Sequence, residues 1–143
     1  MKKGTVMAFG TFDLLHRGHL HFFEQAKRLG GKLVVVVARD KTVEKVKGRK
    51  PVFNENERFE LVKGLSIVDR ALLGCRHSMY ERIKEVKPAV IALGYDQKPS
   101  EKELKKELKE RGLTAKVVRL KAFKPRTNKS SKIRKKILKA VYS

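Results

Sequence analysis

The segment Gly10-Thr11-Phe12-Asp13-Leu14-Leu15-His16-Arg17-Gly18-His19 gathers two histidines and three glycine or hydroxyl positions into ten residues, a set of types and spacings suited to holding a phosphate. Val6 to Phe9, just before it, is a short apolar run that predicts a buried strand, and Leu20, Phe23, Ala26 and Leu29 follow at helical spacing. The segment is therefore the bend from a strand into a helix. Unpaired N–H groups and the positive end of the helix dipole favour an anion there. His16 and His19 lie three apart, so both side chains can donate to one phosphoryl group, and Gly18 between them carries no Cβ to block it. Phosphoryl transfer asks a protein mainly for positioning and for charge stabilisation of the transition state, so imidazoles, backbone donors and lysines suffice without a Ser or Cys nucleophile. Two alternatives stand beside this reading: two exposed loop histidines, or a His pair holding a metal with Asp13 as a third ligand. The protonation of the rings is open, because the dipole disfavours imidazolium and a triphosphate favours it.

The elements that must position this bend are legible as an alternation. Lys32 to Ala38 is a β-branched run without polar interruption, as expected of a central strand covered on both faces. Arg39 to Pro51 reads as a charged connector. A helix is expected over Asn54 to Leu65, with Asn54 as N-cap, Glu57 completing a capping box, and Leu61 and Leu65 facing inward. Ile67 to Leu73 reads as a strand, Met79 to Val86 as a helix that ends before Pro88, Ala89 to Leu93 as a strand, and Ala115 to Leu120 as the last strand. Ser100 caps a helix that Gly112 stops. A final amphipathic helix from about Ser131 is expected to bury Ile133, Ile137, Leu138 and Val141. Strands alternating with helices imply an α/β fold, a single doubly wound domain over residues 1–143 with a five-stranded parallel sheet. Ligands in such sheets bind beyond the carboxyl ends of the strands, where strand order reverses. The loops Gly10–His19, Ala38–Lys50 and Gly94-Tyr95-Asp96-Gln97 lie at those ends, and the basic segment Lys121–Lys132 can reach the same rim.

Thirty-six Lys and Arg against 15 Asp and Glu give a formal charge of +21. No acidic residue follows Glu110, and the last 33 residues carry 12 basic ones. Such a field attracts nucleotides, polyphosphates or nucleic acid; a lysine-rich solvated surface of heat-adapted type is the alternative. A nucleic-acid-binding role is disfavoured, because neither a helix-turn-helix nor a single-strand stacking motif is present. The single cysteine, Cys75, excludes an intramolecular disulfide and a multi-thiolate zinc site, and it reads as a packing residue. With no run of membrane-spanning length and no secretory leader visible, a cytoplasmic protein without a membrane partner is expected.

GTFDLLHRGH, VVVARDKTVEKVKGRKP, ENERFELV, ALGYDQ and Ser130-Ser131-Lys132-Ile133 together resemble the cytidylyltransferase-like nucleotidyltransferases, a Rossmann-like family with an H-x-G-H signature, and within it the archaeal-type FAD synthases. The resemblance implies transfer of AMP from ATP to FMN, with a divalent cation, Mg²⁺, carried by the nucleotide rather than by a protein cage, and a homodimer. It implies that Thr11 and Phe12 meet the triphosphate through backbone groups, with Arg17 and Gly18 in the same binding set. It makes His16 and His19 the groups that stabilise the α-phosphoryl transition state, and Lys47 a loop lysine that closes on the phosphates. Lys45, Arg49 and Lys50 are then solvated charges. Arg58 contacts or organises the site; a surface ion pair with Glu55 or Glu57 is the alternative. Asp96 is placed at the nucleoside, or else is a plain turn aspartate. Ser130 and Ser131 open the last helix as a second anion site, preceded by Arg126 and Thr127, with Phe123 a core aromatic or a base-stacking one. The Pro125-Arg126-Thr127 run is similar to that of glycerol-3-phosphate cytidylyltransferases, so CTP with a polyol phosphate is the alternative substrate pair.

Overall fold

The computed structural model describes residues 4–76, 78–122 and 130–142. Five strands, β1 (Thr5–Gly10), β2 (Lys32–Val37), β3 (Arg70–Leu73), β4 (Val90–Leu93) and β5 (Lys116–Arg119), form one parallel sheet in the order β3-β2-β1-β4-β5. Six helices are described with them: α1 (Arg17–Arg28), α2 (Asp40–Lys47), α3 (Glu55–Lys63), α4 (Met79–Val86), α5 (Glu101–Glu110) and α6 (Ser130–Tyr142). The doubly wound reading is borne out. The chain moves outward from β1 through β2 to β3, then returns to lay β4 on the other side of β1, so the order reverses between β1 and β4. Right-handed crossovers there send α1 and α4 to opposite faces of the sheet, and the loops after β1 and β4 part to leave a crevice.

The strands are apolar throughout because both faces are covered. On one face Val6, Ala8, Leu33, Val35 and Val37 pack with Phe23 and Ala26 of α1 and Val62 of α3. On the other, Met7, Val36, Ile91 and Leu93 pack with Ile83 of α4 and Leu104 and Leu108 of α5. Each such branched side chain, fully withdrawn from water, contributes about 2 kcal/mol. The expected caps are present: Asn54 Oδ1 accepts from Glu57 N at 2.9 Å while Asn54 N donates to Glu57 Oε1 at 3.3 Å, and Ser100 Oγ accepts from Glu103 N at 3.2 Å.

Three expectations need correction. The connector after β2 contains α2, which periodicity hid because Val43 alone of its residues is buried; Gly48 ends it in the left-handed conformation at φ 72°. On α3 the inward face belongs to Arg58 and Val62, whereas Leu61 is 48 % exposed. The final helix exists, yet Ile137, Leu138 and Val141 are 51, 56 and 67 % exposed, because α6 overhangs the domain and only Ile133 among those four is half-buried. Phe123, Arg126 and Thr127 lie outside the described residues.

Candidate active site

The β1–α1 corner is closed by its own histidines. His16, in extended conformation, is the N-cap of α1: its Nδ1 accepts from Gly18 N at 3.0 Å, and its backbone N–H donates to Nδ1 of His19 at 3.2 Å. This is a reciprocal capping box built from imidazoles instead of a hydroxyl and a carboxylate. Each Nδ1 is thus an acceptor, so each neutral ring carries its proton on Nε2. Protonating either ring would turn Nδ1 into a donor facing another donor and break its cap. Burial lowers the pKa of both. For His19 that burial, repulsion from His16 and Lys47, and only a weak opposing pull from Asp13 bring it to about 3. The protein's own groups thus leave both rings neutral at neutral pH, their centroids 3.9 Å apart and tilted by 32°, and among the described residues no group takes up either Nε2–H.

The ten-residue motif explains itself around Phe12. Its buried ring packs edge-on against His19 at 5.6 Å and against Phe23 at 5.0 Å. A β-carbon at Gly10 would stand 2.6 Å from Phe12 Cζ, which is why glycine opens the motif. Phe12 and Leu14 both adopt positive φ, 53° and 50°, and so turn Asp13 between them inward. Such conformations cost of order 1 kcal/mol each and persist where surroundings enforce them. Here the enforcement is Asp13 itself, whose carboxylate accepts from Val52 N at 2.7 Å, Phe53 N at 3.0 Å and Arg134 Nη2 at 2.5 Å. Burial pushes the Asp13 pKa up, but these bonds outweigh it and the net shift is downward. The third-ligand reading of Asp13 is therefore corrected: its oxygens are spent on fastening three segments together. Among the described residues no three His, Cys, Asp or Glu side chains converge on a metal position.

Arg58 is the most buried cation of the site, at 0 % exposure. Its Nη1 donates to Thr11 O at 2.7 Å, its Nε to Phe53 O at 3.0 Å and its Nη2 to Asp40 Oδ1 at 2.8 Å. The surface pair with Glu55 is not formed; Glu55 binds Arg39 at 2.8 Å instead. Arg58 thus joins the β1–α1 corner from beneath to Phe53 and to the first residue of α2.

Lys47, at the far end of α2, shares a small cavity with Thr11, Asp13, Arg49, Lys50 and Arg134. Arg49 and Lys50 are accordingly part of the cavity wall, not only solvated charges. Partial enclosure of the Lys47 ammonium lowers its pKa, helped by Arg134 and Arg58 and opposed by Asp13 and Asp96. Arg134 was not singled out from sequence. It lies one helical turn after Ser130-Ser131, and that i, i+4 spacing was the available signal. Its ion pair with Asp13 brings the opening turn of α6 over the corner, and its buried Nε has no partner among the described residues. Ser130 and Ser131 are the first two residues of that helix. Arg17, the first residue of α1, is exposed. Across the sheet reversal, Asp96 is exposed in the loop after β4 and lies near enough to Lys47 to act on its charge.

A sequence profile described as cytidylyltransferase-like matches residues 7–136, from Met7 in β1 through the first turns of α6. The chain belongs to the cytidylyltransferase-like family. Curated relatives include the FAD synthase of Thermoplasma volcanium, 47 % identical over 136 residues and covering 95 % of each chain. The FAD synthase of Methanothermus fervidus is 53 % identical over 121 residues, 82 % of this chain and 83 % of that one. Among solved structures, the lipopolysaccharide core biosynthesis protein from Thermoplasma volcanium superposes with a TM-score of 0.80 at 48 % identity, over 83 % of this chain and 97 % of that one. As a cytidylyltransferase-like protein, the chain has a corner whose donors and cavity cations suit a nucleoside triphosphate.

Proposed function

We propose that this chain, acting as one nucleotidyltransferase domain over residues 1–143, transfers AMP from ATP to FMN and releases FAD and pyrophosphate. The observation that carries the reading is the pair of neutral imidazoles with both Nδ1 atoms tied to the backbone, which leaves two Nε2–H donors at a helix N-terminus. The FAD synthase names of the relatives support ATP and FMN as donor and acceptor. A phosphate oxygen of FMN attacks the α-phosphorus in line, the bond to the β-phosphate oxygen breaks, and pyrophosphate leaves with that electron pair. No covalent enzyme intermediate forms. His16 and His19 donate to the α-phosphoryl oxygens as charge builds on them. Thr11 and Phe12 offer backbone groups, Gly18 lets the phosphate approach, and Lys47 closes over it with Arg17 at the mouth. Ser130 and Ser131, at the opening of α6, take the β- and γ-phosphates, with Arg126 and Thr127 beside them, and Asp96 holds the nucleoside. The substrate is the Mg²⁺ complex of ATP, because Asp13 is already committed and the corner offers no carboxylate cage.

The exposed apolar side of α6 supports the homodimer in this reading, with a second copy covering Ile137, Leu138 and Val141. No described helix is long and apolar enough to cross a membrane; a cytoplasmic location is part of the same proposal. The deciding experiment is pyrophosphate release by the purified protein with Mg²⁺, ATP or CTP, and FMN, glycerol 3-phosphate or phosphopantetheine. Turnover is expected with ATP and FMN; turnover confined to CTP would reject the assignment.

A further inference from the structure

Asp96 stands on a loop whose base is fastened from both neighbouring strands. On the β1 side, Gln97 Nε2 donates to Phe9 O at 2.7 Å, and Gln97 Oε1 accepts from Gly94 N at 3.0 Å. Phe9 immediately precedes Gly10 of the phosphate corner, so this side chain links the two loops of the crevice directly. On the β5 side the guanidinium of Arg119 reads the loop's carbonyls. Its Nη1 donates to Gly94 O at 2.7 Å and to Gln97 O at 2.5 Å, and its Nη2 donates to Pro99 O at 3.4 Å. The same Nη2, together with Nε at 2.7 Å, holds the Glu101 carboxylate in the first turn of α5. Arg119 is paired with Leu93 in the sheet register, so its fork rises from the last rung of β5, next to where the loop leaves β4.

We propose that Arg119 is a positioning residue that sets where the nucleoside is held relative to the phosphate corner, and through this governs capture of the nucleotide and discrimination between bases. The proposal rests on the nucleoside role given above to the loop after β4. A planar fork that meets three carbonyls in fixed directions selects one loop conformation, which a point charge cannot do. Without it, Gln97 O and Pro99 O lose their guanidinium donor and Gly94 O keeps only Gln97 N, at 3.1 Å. The loop then has to be ordered by the ligand, and that cost appears as weaker binding. The histidine corner lies on the far side of Gln97 and is untouched, so the chemical step of the bound complex is preserved. A looser loop also accommodates the wrong base more readily, and discrimination between bases narrows.

The test compares the full chain with Arg119→Met and Arg119→Lys. MgATP and MgCTP binding are measured by calorimetry, kcat and KM by pyrophosphate release, and Tm alongside. Expected for Arg119→Met are a Kd and KM for MgATP raised roughly tenfold, kcat within about threefold of the parent, and a smaller ratio of MgATP to MgCTP affinity. Arg119→Lys keeps the charge near Glu101 but does not restore affinity; it also carries the test if the Met variant fails to fold. Unchanged MgATP affinity in either folded variant, even with a lowered Tm, would show that Arg119 merely ties β5 to α5 and would overturn the proposal. So would full affinity restored by lysine, or a loss confined to kcat. If the parent binds MgATP and the variants bind it weakly while FMN is not adenylylated, the acceptor assignment fails and Arg119 keeps its role.

Discussion

Two helix openings meet around Asp13, those of α1 and α6, and they are held in opposite ways. The opening of α1 is built by its immediate neighbours in sequence: His16 and His19 cap each other, and Phe12 wedges beneath them. The opening of α6 is held, among the described residues, by Arg134 reaching across 121 positions of sequence to Asp13, while the distal half of the helix leaves its apolar residues in solvent. One site is therefore preassembled by its own sequence, and the other is reached, among the described residues, by a distant tie. We read the first as the place where transition-state charge is met and the second as the place where the triphosphate tail is captured.

That contrast breaks most sharply at His19. For His19→Ala, kcat falls about a hundredfold or more with the KM for MgATP little changed, because the lost donor acts on charge that develops only in the transition state; steady-state pyrophosphate release measures both. Next in size is Arg58→Met, which strips a donor from Thr11 O and Phe53 O and leaves Asp40 without its partner. Allowing for the partial exposure of Asp40, unfolding free energy in urea is expected to drop by about 3 kcal/mol. Arg134→Met sharpens the other half of the comparison. Stability should fall by about 2 kcal/mol, since the buried Asp13 carboxylate keeps its two backbone donors but loses its cation, while KM for MgATP rises roughly fivefold and amide exchange accelerates most across α6. An equal rise in exchange along α1 would refute the independence of the two openings.

A further effect is on acid stability. The folded pKa of His19, about 3, lies below its ordinary value of 6.5. Between those limits the unfolded chain binds a proton that the folded chain refuses. The contribution is fully present above pH 6.5 and is lost as pH falls toward 3. His19→Asn should therefore lose less Tm than the parent between pH 7 and pH 4.5, as followed by circular dichroism.

Sequence made the α1 opening legible because the groups that cap it lie within ten residues: the glycines, the aromatic, and two histidines at capping distance. The parallel sheet was legible for a related reason, since strands covered on both faces lose all polar alternation. What escaped were contacts between distant segments. Asp13 looked like a spare carboxylate because its partners Val52, Phe53 and Arg134 are backbone groups and a cation far along the chain. Arg58 was placed at the site by resemblance, yet nothing in its neighbours along the chain told that three acceptors converge to bury it. Helix α2 escaped because a helix lying over a site needs only one buried residue, Val43. The exposed residues of α6 show the converse error: apolar spacing announces a face, without saying that this same chain supplies the cover.

The outermost strands, β3 and β5, are only four residues long, and each begins on a cation, Arg70 or Lys116. An unpaired edge is a template on which a foreign strand can polymerise, and short edges guarded by like charges refuse it. Two copies approaching rim to rim would set cation against cation on bodies that each carry +21. Fibril growth through the sheet is thereby discouraged, and heated chains are kept apart long enough to refold rather than clump.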